Sequence, residues 1–178
     1  MQLTRFFRDG RGTAAVEFAF VAPLMILLYC GLAELTQGMM ADRRASHVAS
    51  TIGDLVAQET QVKQSDMDDV FKVGQAVIAP FPTGTLSMRV TSVVANSSGT
   101  PQVSWSKRSG SALTALATGA TVSGLPTGLI AANESVVMAE VRYTYTSALQ
   151  KALPSTLTFN EKYYLKPRKG SQVIWSTG

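Results

Sequence analysis

A long apolar run near the N-terminus dominates the hydrophobic pattern of the chain. No charged residue occurs in Phe18–Ala33, and the bulky side chains of Leu24–Leu28 cover every side of a helix. A core helix of a soluble domain keeps a polar stripe, whereas a membrane span of ~17–25 residues is apolar all round. The pattern therefore predicts a transmembrane helix over Thr13–Leu35, in which Pro23 is tolerated as a kink.

The residues after this run change to an amphipathic helical pattern. Across Thr36–Gln58 the apolar residues recur at helical spacing: Ala45, Val48, Ala49, Ile52, Leu55 and Val56. This pattern predicts either one helix from the membrane to Gln58 or two helices with a break near Gly38. A second helix is predicted over Ser65–Ala79, with Ser65 and Asp68 as a capping box and prolines at its end.

From Leu86 the hydrophobic period changes to two, which is the period of a strand. The alternation predicts a hairpin of Leu86–Ala95 and Gln102–Lys107, with Val103 and Trp105 on one side. Further strands are predicted at three places: Ser135–Thr146, Thr156–Leu165 and, as an edge strand, Gln172–Trp175. The order of elements predicts an α+β fold, in which a long N-terminal helix is followed by a second helix and an antiparallel sheet.

Two connecting segments also have a distinct composition. Ser109–Asn133 is rich in Gly, Ser, Thr and Ala, and it is predicted to be a long loop with a short helix around Ala112–Ala117. Long loops inside a domain are often functional, so this loop is the expected variable contact surface. Ala148–Leu153 is predicted to be a short apolar link that ends at Pro154.

The composition and charge of the chain argue against a nucleic-acid-binding protein and predict the orientation of the apolar helix in the membrane. The 178 residues carry a formal net charge of +4, and half of it lies in the leader 1–12, which has three arginines and one aspartate. The remainder is nearly balanced and has no basic stripe, so we expect no nucleic-acid partner. Arg5, Arg8 and Arg11 favour a cytoplasmic N-terminus and an exported C-terminal domain. Cys30 is the only cysteine, which excludes an intrachain disulfide.

Candidate catalytic and metal-binding residues are few. His47 is the sole histidine, and we expect it to be a solvated residue of the juxtamembrane helix. The carboxylates of Asp66–Asp69 suit the first turn of a helix, and they lack the glycine and distal glutamate of a calcium loop. Glu140 and Glu161 could meet across strands as a catalytic pair, as in glycosidases. We expect no enzymatic activity, no metal and no cofactor.

The boundary between the basic leader and the apolar run carries a motif. Gly12 is followed by four uncharged residues and then by Glu17 and Phe18, which resembles the processing site of type IV prepilins. The wider segment Arg11–Leu24 resembles the TadE/TadG-like minor pseudopilins of tight-adherence (Tad) pili. A weaker resemblance to the same family covers residues 136–178.

The resemblance implies a processing step and an assembly role. A prepilin peptidase would cut between Gly12 and Thr13 on the cytoplasmic side, and the apolar helix would be retained. Glu17 would then be the fifth residue of the mature chain, where it would pair with the new N-terminal amine of a neighbouring subunit. The implied partners are other minor pseudopilins, the pilus assembly platform and the lipid bilayer.

The same resemblance implies the boundaries of four segments and a location in the inner membrane. The divisions are a leader (1–12), a transmembrane helix (13–35), a juxtamembrane amphipathic helix (36–60) and an exported pseudopilin domain (61–178). The protein would cross the inner membrane once, with its C-terminal domain in the periplasm or carried into a surface pilus.

Some features leave alternatives open. Thr13 departs from major pilins, which begin with an aromatic residue or Met, and the chain is longer than the major Tad subunit. Both departures favour a minor or accessory component. Gly31–Ala33 could instead be an ordinary signal-peptidase site. The alternative function is a signal-anchored or secreted extracytoplasmic binding domain that uses its strands and the loop Ser109–Asn133.

Overall fold

One unbroken helix runs through the predicted membrane segment and into the folded domain. The computed structural model describes residues 12–147 and 155–177. Helix α1 spans Thr13–Ala57, 45 residues, which is about 66 Å at 1.5 Å per residue. The continuous helix is confirmed, and no break occurs at Gly38, which is buried against the domain. The boundary predicted at Leu35 therefore falls inside a single element.

Helix α2 packs against α1 and begins one residue before the predicted start at Ser65. It spans Gln64–Val77 and follows a two-residue strand β1, Gln61–Val62. The predicted capping box of Ser65 and Asp68 is wrong, because the carboxylate of Asp66 accepts the backbone N–H of Lys63 at 3.0 Å. Asp68 lies one turn inside the helix and accepts the side-chain amide of Gln64 at 2.9 Å.

An antiparallel four-stranded sheet forms the second layer of the domain. Its order is β3-β2-β4-β5, and its strands have these bounds: β2 Leu86–Ala95, β3 Pro101–Ser109, β4 Ser135–Thr146 and β5 Thr156–Leu165. The two helices cover one face of this sheet. The hairpin, the two later strands and the α+β fold class are confirmed.

A β-bulge corrects the predicted faces of β3. Ser92 pairs with Trp105 and the next residue, Val93, pairs with Val103, so Ser104 has no partner on β2. The extra residue reverses the alternation. Trp105 consequently joins the core beneath the helices, whereas Val103 joins a second core on the opposite face. The prediction that both side chains share one side is wrong for this reason.

The main core lies between the helices and the inner face of the sheet. The predicted apolar stripe of α1 is buried there except for Leu55, which is only partly covered. The face of β4 that carries Val137, Ala139, Val141, Tyr143 and Tyr145 is buried in the same core. Gly53 brings α1 close to the sheet, since a Cβ at this position would lie 2.6 Å from Cδ1 of Leu165 and 3.0 Å from Cβ of Ala139.

The segment between β3 and β4 forms a second core on the outer face of the sheet. Val93, Val103, Val122, Val136 and Met138 are buried in it. The predicted short helix at Ala112–Ala117 is absent from this described segment, because its backbone bonds to β2 instead. Ala112 donates to Oγ of Ser87 at 3.0 Å, and the carbonyl of Thr114 accepts from Arg89 at 2.6 Å.

The C-terminal strand lies outside the main sheet. Strand β6, Ile174–Trp175, pairs in parallel with β1 in a separate two-stranded sheet. The strand predicted at Gln172–Trp175 is therefore shorter, and its partner β1 was not predicted. The link predicted at Ala148–Leu153 lies outside the described residues.

Replacement of Gly53 tests the close packing of α1 on the sheet. We expect Gly53→Val to lose about 1–3 kcal/mol of unfolding free energy, because the branched side chain overpacks the contact with Leu165 and Ala139. Gly53→Ala should lie closer to the wild type, since alanine regains up to ~1 kcal/mol of helix propensity. Urea unfolding of the full chain in detergent measures both values. Equal stability of the valine variant and the wild type would contradict this packing.

Candidate membrane and processing segment

Gly12 adopts a backbone conformation that any residue could adopt. Its φ of −85° and ψ of −16° are helical, and a Cβ built on it would meet nothing within 4 Å. The fold of the monomer therefore does not require glycine at this position. Gly53 is the opposite case, because its side-chain space is filled by the sheet.

Thr13 and Glu17 lie in the first turns of α1, on an exposed part of the helix. Within the described residues, no ion pair involves Glu17. The carboxylate is followed directly by an apolar surface: Phe18 is 72% exposed and Phe20 is 79% exposed. A charge at the edge of such a surface would be costly in hydrocarbon, so it favours water or an opposite charge.

The surface of α1 beyond Glu17 is apolar and uncovered. The most apolar 18-residue window of the helix has a mean hydropathy of 2.0, and none of it is buried. A core helix of a soluble protein would be mostly buried. Among the described residues, α1 is the one helix long and apolar enough to cross a membrane. It therefore has the length and surface of a membrane anchor.

Glu34 is a buried carboxylate that the sequence reasoning missed. It is only 3% exposed, and its Oε1 accepts the hydroxyl of Ser147 at 2.7 Å. It marks the level at which the folded domain begins to cover α1. The burial of Glu34 could have been predicted from its spacing. Glu34 lies on the same helical face as Gly38, Ala41 and Ala45, which are small residues buried against the domain.

The other candidate residues are not brought together as a site. His47 is exposed, as expected of a solvated helix residue, and its Nδ1 bonds to Oγ1 of Thr51 at 2.9 Å. Glu140 pairs across the strands with Lys162, whereas Glu161 pairs with Val141. The two carboxylates therefore lie on opposite faces of the sheet and do not meet as a catalytic pair. In residues 12–147 and 155–177, no group of three or more His, Cys, Asp or Glu could hold a metal ion.

Glu140 instead belongs to a buried ion-pair network beneath the loop. Its Oε2 lies 2.6 Å from Nη2 and 2.7 Å from Nε of Arg89, and its Oε1 lies 3.0 Å from Nζ of Lys162. Arg89 also donates to the carbonyl of Thr114 in the loop. The network ties the loop to the sheet, and the apolar side chains Leu116, Leu125, Leu129 and Ile130 pack inward. Much of the apolar content of the predicted contact loop is therefore used for packing.

The comparisons with known proteins agree with the N-terminal motif. Residues 12–53 match the family model described as TadE-like protein. No curated protein and no solved structure matches the chain. The match begins at Gly12 and covers the exposed apolar part of α1 and most of its buried stripe. The resemblance to the TadE-like family is therefore confirmed over residues 12–53.

Proposed function

We propose that the chain is a minor pseudopilin of a Tad-type pilus that a prepilin peptidase processes after Gly12. The TadE-like match supports a Tad pilus-associated protein in general. The observation that carries the finer proposal is the arrangement at the start of α1. Gly12, at which an added Cβ would contact nothing within 4 Å in the described chain, lies five residues before Glu17, a carboxylate that forms no ion pair among the same residues.

Hydrolysis after Gly12 would change the charge at the start of the helix. Water adds across the peptide bond, the new carboxylate leaves on Gly12 with the leader, and Thr13 gains a free amine. An α-amino group has a pKa of about 7.7–8.0, so much of it is protonated near neutral pH. The basic leader is lost in the same step, and the start of the helix keeps one cation at Thr13.

Glu17 would then supply the matching anion for a neighbouring subunit. Opposite charges attract strongly where apolar surroundings lower the dielectric constant. The exposed surface after Glu17 provides such surroundings once helices of several subunits meet. The pairing would favour subunits that have already been cleaved, because an uncleaved chain has no amine at Thr13. The chain itself would be acted upon and would not catalyse a reaction.

We further propose that α1 crosses the inner membrane with its N-terminus in the cytoplasm. The leader arginines support this orientation. The folded domain, from the level of Glu34 onward, would then stand in the periplasm or on the pilus. The peptidase, other minor pseudopilins and the assembly platform would be its protein partners.

Exchange of the N-terminal segment distinguishes this function from a tethered binding domain. In cells that carry the pilus system, Met1–Ala33 is replaced by an unrelated single-pass anchor that leaves Glu34 in place, and surface pili are counted. We expect loss of pili, because the cleavage site and Glu17 are removed while the domain is kept. The matched variant Glu17→Ala should also lose pili and should still be cleaved. Normal piliation in both variants would favour the binding domain.

A further inference from the structure

The charge-free run of α1 is too short to cross a bilayer by itself. Phe18–Ala33 contains no charged residue, and its length is about 23 Å at 1.5 Å per residue. A typical hydrocarbon core is about 30 Å thick. Some further part of α1 must therefore lie in hydrocarbon if the helix spans the membrane.

One face of α1 remains apolar and exposed beyond that run. Leu32, Met39 and Met40 are 56%, 50% and 42% exposed, and they share the outward face at helical spacing. Thr36 lies between them, and its hydroxyl donates to the carbonyl of Leu32 at 2.8 Å. Because this polar group is satisfied within the helix, it adds little cost in hydrocarbon.

The opposite face of the same stretch is covered by the domain. Glu34, Gly38 and Ala41 are buried, and Ser147 donates to Glu34. Over residues 34–41 the helix thus has a domain-covered side and an outward side that carries Met39 and Met40, and the exposed amide side chain of Gln37 lies on the flank between the two sides. The first charged residue on the outward side is Arg43, and His47 follows one turn later.

We propose that the bilayer covers the outward face of α1 as far as Met40, so that the base of the folded domain rests in the lipid interface. The proposal rests on the membrane anchor described above. Phe18–Met40 is about 33 Å long. At the average helix tilt of about 20° this length projects to about 31 Å, which matches the hydrocarbon thickness.

The side chains at this level fit the interface. Arg43 lies one turn beyond Met40, where its guanidinium can reach lipid phosphates. Glu34 lies on the hydrocarbon side of the boundary at Met40. Because the domain encloses Glu34 and the hydroxyl of Ser147 donates to it, lipid does not contact this carboxylate. The domain would stand directly on the membrane without a free helical stalk.

Membrane depth measured at three positions of α1 tests the proposal. Single cysteines are introduced by Leu28→Cys, Met40→Cys and His47→Cys in a Cys30→Ser chain and labelled with a nitroxide. The full chain is placed in nanodiscs of phosphatidylcholine and phosphatidylglycerol. Collision rates with oxygen, which concentrates in hydrocarbon, and with a water-soluble nickel complex report the depth of each label.

We expect the oxygen-to-nickel ratio at position 40 to lie between the ratios at positions 28 and 47 and to exceed that at position 47 several-fold. An unchanged unfolding temperature shows that each labelled chain keeps its fold. A nickel-dominated label at position 40 beside an oxygen-dominated label at position 28 would overturn this boundary and leave the anchor intact. Nickel domination at position 28 as well would overturn both the boundary and the anchor.

Discussion

The chain with Gly12→Val is expected to fold normally and to keep its leader. A side chain at position 12 meets nothing within 4 Å in the fold, so the unfolding temperature should not change. The peptidase, by contrast, must bring its catalytic groups against the carbonyl of residue 12, where a branched side chain crowds the approach. We expect at least about a tenfold loss of cleaved product, which corresponds to ~1.4 kcal/mol of lost transition-state stabilisation.

Gly84 offers a matched control for this change. A Cβ at position 84 would also meet nothing within 4 Å, its φ is not positive, and it lies outside the motif. Gly84→Val should therefore be cleaved at the wild-type rate. The mass of the membrane-extracted chain, measured with a co-expressed peptidase, gives both results. Wild-type cleavage of Gly12→Val would show that the glycine has no role in processing.

Removal of Glu140 is expected to cause the largest loss of stability. Its side chain is 9% exposed, and that of its partner Arg89 is 13% exposed. Glu140→Ala would leave this guanidinium without its carboxylate, and breaking a buried ion pair typically costs about 3–5 kcal/mol. We expect a loss of about 3 kcal/mol, at the lower end of that range, because Lys162 is 42% exposed and can return to water. Urea unfolding of the full chain in detergent, followed by tryptophan fluorescence, measures the loss.

Glu161→Ala provides the comparison for this variant. Glu161 is the neighbour of Lys162 on β5 and lies opposite Val141, and no ion pair in the described part of the chain involves it. Its removal should change the unfolding free energy by less than about 0.5 kcal/mol. Losses of similar size in the two variants would contradict the role of the Glu140 network.

Local patterns along the chain were sufficient to predict most of the elements. The apolar run and the stripe from Ala45 to Val56 define α1, because helical spacing is visible within a few turns. The alternation in β4 and β5 likewise defined strands whose bounds agree with the structure. Each of these patterns involves residues that are close together in sequence, so it can be recognised from one sequence without knowledge of the fold.

The features that were missed depend on residues far apart in the chain. The close approach at Gly53 involves Leu165 and Ala139, and the burial of Glu34 involves Ser147. The bulge at Ser104 is set by the pairing of β2 with β3. In place of the short helix expected at 112–117, backbone groups of this segment bond to side chains of β2. Helical propensity alone does not reveal these competing partners.

The candidate processing site, like the helices and strands that were predicted correctly, is defined by residues that are close together in sequence. Gly12, Thr13 and Glu17 form a compact motif within six residues of sequence, and the fold adds that Gly12 has no packing role and that Glu17 is exposed. Their proposed partners belong to other molecules. The structure of one chain therefore describes only the empty space around Gly12 and the exposure of Glu17.

The N-terminal sequence of the mature chain is the most direct test of the central proposal. The protein is extracted from membranes of cells with and without a co-expressed prepilin peptidase, and its first residues are determined. We predict a start at Thr13 that depends on the peptidase. A start at Glu34 would indicate release by an ordinary signal peptidase, and an intact Met1 in both samples would indicate a plain signal anchor. Either of these two results would contradict the pseudopilin account.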